Sequence, residues 1–303
     1  MALASNPARP FGAVLTAMVT PMTSGGEVDL DAAVALATWL VDHGNDGLVL
    51  SGTTGESPTT HSPEKAALIE AVAGAVGDRA SIVAGAGSND TAHASRMARQ
   101  AAEAGADGVL VVTPYYSRPS QQGVAQHLTA VAEAGGLPTM VYDVPGRTGV
   151  RIAAETYEQL AQHELVVAAK DATGDVAAAA GLSARTGLAW YAGDDGLLLP
   201  FLAHGGAGIV SVAAHAVSDA FAEVVAAWDA GDHTRALDVF RTTLPAIAAI
   251  NGAGMQAVMA KAACEALGII PDRTVRGPLV TASDDEVAAV RAGLAAAGVL
   301  ATA

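Results

Sequence analysis

Gly44-Asn45-Asp46-Gly47-Leu48-Val49-Leu50 returns in altered form as Gly105-Ala106-Asp107-Gly108-Val109-Leu110-Val111, and Gly205-Gly206-Ala207-Gly208-Ile209-Val210 echoes both. In each, a helix ends on a glycine, which accepts the left-handed C′ conformation, and a strand begins at once. Working outward from these turns, short apolar runs recur along the chain, at residues 13–19, 47–50, 81–84, 108–112, 139–142, 165–169, 188–192 and 208–212. They lack polar alternation, as strands buried on both faces of a parallel sheet must. Helix-period segments lie between them, among them 29–42, 63–76, 91–104 and 121–134. Strand–helix units repeated in one composition regime predict an α/β fold, a closed (β/α)₈ TIM barrel. An open doubly wound sheet is the alternative. It usually carries a glycine-rich turn after its first strand, and Thr20-Pro21-Met22-Thr23 is not one.

After about residue 213 the strand signal stops. Segments 216–230, 235–250, 255–267 and 285–297 read as helices. The predicted organisation is a flexible N-terminal tail at 1–10, a barrel at 11–230, and a C-terminal helical extension packed on the barrel at 231–303. Helix starts are marked by Ser62, expected to cap with Pro63 at the first helical position, and by Asp29 and Asp90.

The formal net charge of −15 argues against nucleic acid and against anionic membrane surfaces, both of which attract basic patches. It does not argue against an anionic substrate, because a few local cations overrule a global sign. No apolar run reaches the ~20 residues a membrane span needs, and the start carries no signal-peptide core. One cysteine, Cys264, forms neither an internal disulfide nor a cysteine metal cluster, and is expected to be a small buried residue in a cytoplasmic protein. The histidines are scattered without metal-ligand spacing, so no metal is expected. For Asp194-Asp195, capping the following helix is favoured over binding a cation.

In such barrels the chemistry sits at the C-terminal ends of the strands. There the sequence places Gly52-Thr53-Thr54-Gly55, Tyr115-Tyr116, Tyr142, Arg147 and Lys170. Only three lysines exist, and Lys65 and Lys261 fall in helices. Lys170 ends an apolar strand. A buried ammonium is disfavoured, and the neutral amine that results attacks carbonyls to form an imine. The alternatives are an amine reaching solvent at the strand end or one paired with Asp171. Tyr142 ends the neighbouring strand, where its phenol either shuttles the proton of imine formation or is a satisfied core tyrosine. The loop at Gly52, Thr53 and Thr54 groups hydroxyls and backbone donors suited to a carboxylate, or is a capped turn. Arg147, after a Pro-Gly turn, either holds a second carboxylate through its planar fork or makes a surface ion pair.

Four motifs in order, Gly52-Thr53-Thr54-Gly55-Glu56-Ser57, Thr113-Pro114-Tyr115-Tyr116, the run from Tyr142 through Val144-Pro145-Gly146-Arg147-Thr148, and Lys170-Asp171-Ala172-Thr173-Gly174, resemble the pyruvate-dependent class I aldolase superfamily. Within it the chain is most similar to the dihydrodipicolinate synthase family, because sialic acid lyases generally lack the arginine at 147. The resemblance implies a Schiff base on Lys170 and a proton relay of Tyr142, Thr53 and Tyr116, with Tyr116 reaching into a neighbouring subunit. It places pyruvate's carboxylate at Thr54 and Gly52, the second substrate's carboxylate at Arg147, and the Val210 carbonyl near the substrate. Pyruvate and aspartate semialdehyde are the implied substrates. No cofactor is implied, and the implied assembly is a homotetramer built as a dimer of dimers. The rivals are a related lyase or dehydratase acting on another aldehyde, a non-catalytic barrel, and a metal-dependent aldolase. Lysine-inhibited members carry a histidine on the second helix and a glutamate on the third. Here Lys65 and His93 stand at those places, which predicts weak or absent lysine feedback.

Overall fold

The computed structural model describes residues 6, 8–252 and 254–301. The strands are β1 (Val14–Ala17), β2 (Gly47–Leu50), β3 (Ser81–Gly85), β4 (Gly108–Val112), β5 (Thr139–Asp143), β6 (Val166–Asp171), β7 (Ala189–Ala192) and β8 (Gly208–Ser211). All pair in parallel with their sequence neighbours, and β1 pairs with β8 through Leu15 opposite Val210, so the barrel is closed. The open-sheet alternative is thereby excluded.

The helices are α1 (Leu30–Asp42), α2 (Ser62–Val76), α3 (Thr91–Glu103), α4 (Gln121–Gly135), α5 (Pro145–Thr148), α6 (Ala154–Leu160), α7 (Val176–Thr186), α8 (Leu198–Ala203), α9 (Ala214–Asp229), α10 (His233–Asn251), α11 (Gln256–Ala266) and α12 (Asp284–Ala296). No helix among the described residues is long and apolar enough to cross a membrane. We propose the division between barrel and extension at residues 230 and 231, in the turn between α9 and α10. Of the expected tail, residues 1–5 and 7 lie outside the described residues. Arg9 is tied to Asp229 by two bonds of 2.5 and 2.9 Å.

The strand residues sort into two cores by their two-residue period. Leu15, Val49, Val83, Leu110, Met140, Ala168 and Val210 pack inside the barrel, whereas Val14, Leu48, Ile82, Val109, Val141, Ala169 and Ile209 face the helices. Phe11 plugs the bottom. A Cβ on Gly108 would come within 2.4 Å of its ring, so only glycine fits there. The glycines that begin the repeats, Gly44, Gly105 and Gly205, have φ of +89°, +90° and +82°, as the αβ turn requires.

Asp29 and Asp90 cap as expected, accepting from the N–H groups of Ala32 and Ala92, each at 2.9 Å. Ser62 does not. The residue at the cap of α2 is His61, whose N–H donates to Glu64 at 2.8 Å, and Ser62 lies inside the helix with its hydroxyl on Gln100. A neighbour from α3 claimed the hydroxyl that local sequence assigns to the cap. Cys264 is fully buried, and burial pushes its thiol up to about 12.

Candidate active site

β5 and β6 run in register with Tyr142 opposite Lys170 and Asp143 opposite Asp171. The two-residue period therefore sends the first pair into the barrel and the second pair outward. Lys170 is 5% exposed, so it does not reach solvent. Nor does it pair with Asp171, whose carboxylate accepts from Trp190 Nε1 at 3.0 Å and from the Thr173 N–H at 2.7 Å. The Lys170 amine sits 4.5 Å from the centre of the Tyr142 ring, over its face rather than at its hydroxyl. Burial lowers the Lys170 pKa to about 8; the nearby Asp195 charge opposes this and Arg147 adds to it. Burial also pushes the Tyr142 phenol up to about 12.

Above this pair opens a cavity of about 420 Å³, lined by Gly52, Thr53, Tyr142 and Arg147 among others. Thr54 is buried beside it. Val210 is buried on the inner face of β8, opposite Leu15 of β1 at the seam that closes the barrel. Tyr116 stands apart: it is 90% exposed, with φ of +72°, and does not line the cavity. Arg147 lies in α5, just past the end of β5. Among the described residues it has no carboxylate partner; its guanidinium donates to Gln256 of α11 at 3.0 Å. The surface ion pair that an arbitrary arginine would form is not what the structure contains.

Lys65 and His93 also line the cavity. The Lys65 ammonium is 3.1 Å from the Ser57 hydroxyl, and partial burial lowers its pKa.

Four buried polar groups behind the rim escaped the reading of the sequence. Of the pair Asp194-Asp195, only Asp194 caps the following turn, accepting from the Gly196 N–H. Asp195 is buried and accepts from Ser211, from the Ala213 N–H at 2.8 Å and from Asn251 at 2.6 Å, so it locks the β8–α9 turn to α10. Burial raises its pKa. Asp143 is buried behind Tyr142, accepts from the Ile152 N–H at 3.1 Å, and is pushed up to about 7 by burial. His215 accepts from the Val19 N–H at 3.0 Å and lies 2.7 Å from the Val212 carbonyl; burial pushes it down to about 4, so it is a neutral core histidine. Glu56, inside the glycine-rich loop, forms a wholly buried ion pair with Lys261. The only signal for that pair was a single lysine in an otherwise uncharged stretch of helix, 257–264.

The model of the dihydrodipicolinate synthetase family matches residues 10–297. A 4-hydroxy-tetrahydrodipicolinate synthase of Kineococcus radiotolerans is 54% identical, covering 98% of this chain and 96% of its own. Among solved structures, the Cyanidioschyzon merolae dihydrodipicolinate synthase with lysine bound has a TM-score of 0.91 at 38% identity, covering 96% of this chain and 99% of its own. The Acinetobacter baumannii enzyme, complexed with pyruvate, has a TM-score of 0.91 at 34% identity, covering 96% and 99%. With a lysine, a phenol and a guanidinium converging on one barrel mouth, and a family match across nearly its whole length, the chain belongs to the dihydrodipicolinate synthetase family.

Proposed function

We infer that the protein condenses pyruvate with L-aspartate 4-semialdehyde through a Schiff base on Lys170, giving 4-hydroxy-tetrahydrodipicolinate, the first committed step of lysine and diaminopimelate biosynthesis. The observation that carries this is a buried lysine without a carboxylate partner among the described residues, its pKa lowered to about 8, against a tyrosine that lines the cavity.

The neutral Lys170 amine attacks the pyruvate ketone carbon. The carbinolamine gains a proton on its hydroxyl and loses water, leaving the imine. Tyr142, Thr53 and Tyr116 relay the protons, Tyr116 from a neighbouring subunit; its exposure supports that role. Thr54 and Gly52 hold the pyruvate carboxylate through the loop's donors. Loss of a methyl proton gives the enamine, whose carbon attacks the aldehyde. The amino group of the adduct then adds to the imine carbon and expels Lys170 as the ring closes. Arg147 holds the carboxylate of the semialdehyde, a role favoured by a guanidinium free of acidic partners among the described residues. The Val210 carbonyl lies near the substrate. No cofactor enters this scheme, since the protonated imine is itself the electron sink.

The assembly we propose is a homotetramer, a dimer of dimers, working in the cytoplasm with no nucleic acid or membrane partner. Weak or absent lysine feedback is also expected, because the Lys65 ammonium lines the cavity where lysine-inhibited members carry a histidine, and would repel the ammonium of a bound lysine, while His93 stands where they carry a glutamate. Inhibition by sub-millimolar lysine would overturn that expectation.

The test is reduction with borohydride in the presence of pyruvate, peptide mapping of the adduct, and an assay with aspartate semialdehyde. An adduct on Lys170 with turnover is expected. An adduct without turnover moves the assignment to another aldehyde, and no adduct removes the imine chemistry.

A further inference from the structure

Lys261 lies far from the barrel mouth in sequence and on a helix of the extension, yet its side chain is wholly buried. Its amine is 2.5 Å from Glu56 Oε1 and donates to the Thr274 carbonyl at 2.6 Å. The other oxygen of Glu56 accepts from the Arg276 N–H at 2.8 Å. Both oxygens of this carboxylate are therefore held by the C-terminal extension, across more than 200 residues of chain.

Glu56 is also a structural member of the loop that carries Thr53 and Thr54. Its N–H donates to the Thr53 carbonyl at 3.1 Å, and the Ser57 N–H donates to Gly52 at 3.1 Å. Its φ is +57°, a conformation side-chain-bearing residues adopt only when their surroundings impose it. The neighbouring Gly55 carbonyl accepts from Thr20 at 2.7 Å. The Arg276 guanidinium ties down the far end of the loop, through the Thr59 carbonyl at 2.8 Å and Glu64 at 2.5 Å. A shift of the Glu56 side chain would rotate the peptide units that aim the Thr53 and Thr54 donors.

We propose that Lys261 is a positioning residue of the pyruvate-carboxylate loop, acting through Glu56 to fix the orientation of Thr53 and Thr54. A buried ion pair is weak as a stabilising device compared with apolar side chains of the same volume, so its retention here points to geometry rather than stability. The inference rests on the pyruvate reading above, and borohydride trapping on Lys170 of the unaltered protein tests that reading first.

The decisive variant is Glu56→Met with Lys261→Met, which removes both charges and fills the space. Half-saturation of trapping by pyruvate reads only folded molecules, whatever fraction folds. The pyruvate concentration for half-maximal trapping is expected to rise at least about tenfold, as a displaced binding group demands. KM for the aldehyde is expected to rise far less, because Arg147 is held by Gln256 in the first turn of α11 and not through Glu56. Glu56→Gln, of the same shape but uncharged, is expected to move pyruvate saturation in the same direction by less. Trapping by the unaltered protein, together with native pyruvate saturation in either variant, would overturn the inference. So would a parallel rise for pyruvate and aldehyde, which marks a general loosening of the barrel mouth.

Discussion

Two of the three lysines in this chain are buried, and they are buried in opposite ways. Lys170, at the end of β6, lies over the ring of Tyr142, itself a wall of the cavity, with no carboxylate within bonding distance among the described residues. Lys261, in α11, is clasped by Glu56 and a carbonyl. Burial depresses both pKa values, but only at Lys261 does a contacting carboxylate oppose the shift. The same side chain is thus left without a contacting counter-charge in one place, as the proposed nucleophile needs, and held by one in the other. What decides is whether the fold supplies a counter-charge when it removes water.

The strongest way to break the comparison is Lys170→Ala. Removing an unpaired amine leaves no orphan charge, so the protein should fold, while turnover falls on the order of 10⁴-fold or more, as when a covalent nucleophile is deleted. Mass spectrometry should find no borohydride-trapped pyruvate. Trapping at Lys261 or Lys65 instead would erase the distinction between the lysines. Lys261→Met should do the reverse: it strands the Glu56 carboxylate and costs about 3–5 kcal/mol in denaturant unfolding, and Glu56→Met in the same chain should restore most of that. An unchanged midpoint in the single variant would mean that Glu56 is not held as a charge.

The pH dependence sharpens the contrast further. With its pKa lowered to about 8, Lys170 is mostly ammonium below that pH and mostly free amine above it. The single-turnover trapping rate should rise about a hundredfold from pH 6 to a plateau above pH 9, as the neutral fraction does. A rise displaced to the ordinary lysine range would show that burial does not tune this amine.

The smallest effect belongs to Asp143, the outward partner of Tyr142 on β5. It is a buried acid without a contacting cation among the described residues, the carboxylate counterpart of Lys170. Burial raises its pKa from 3.8 to about 7, so folding favours the neutral acid. Its contribution to stability is complete below pH 4 and is lost as pH rises through 7, amounting to about 1.4 kcal/mol between pH 6 and pH 8. Asp143→Asn should flatten that slope in urea titrations at the two pH values. An undiminished slope would assign it to another group.

Most of the barrel was legible because its signals are local. Each strand is a short apolar run, several of them begun by a glycine turn, and the helices between them carry their own period. The residues at the mouth were legible for the same reason: Lys170 and Tyr142 stand at the C-terminal ends of β6 and β5, and Arg147 in the short helix just past β5, where the barrel puts its chemistry. The failures are contacts between distant segments. Ser62 has the right chemistry for a cap, yet Gln100 takes its hydroxyl. Asp195 has the right position for a cap, yet Ser211 and Asn251 take its carboxylate. None of these three competitors is near in sequence: they stand 38, 16 and 56 residues away.

By itself the sequence determined the closed (β/α)₈ barrel, the helical extension after it, and which side chains stand at the strand ends, because periodicity and turn chemistry act over a few residues. Only the tertiary structure decided that Lys170 lies over the Tyr142 ring, that Arg147 leans on Gln256, and that Glu56 is locked to Lys261. Those pairings depend on which groups lose water together, and that is settled only when separate elements close on one another, for Arg147 with Gln256 and Glu56 with Lys261 across more than 100 residues of chain.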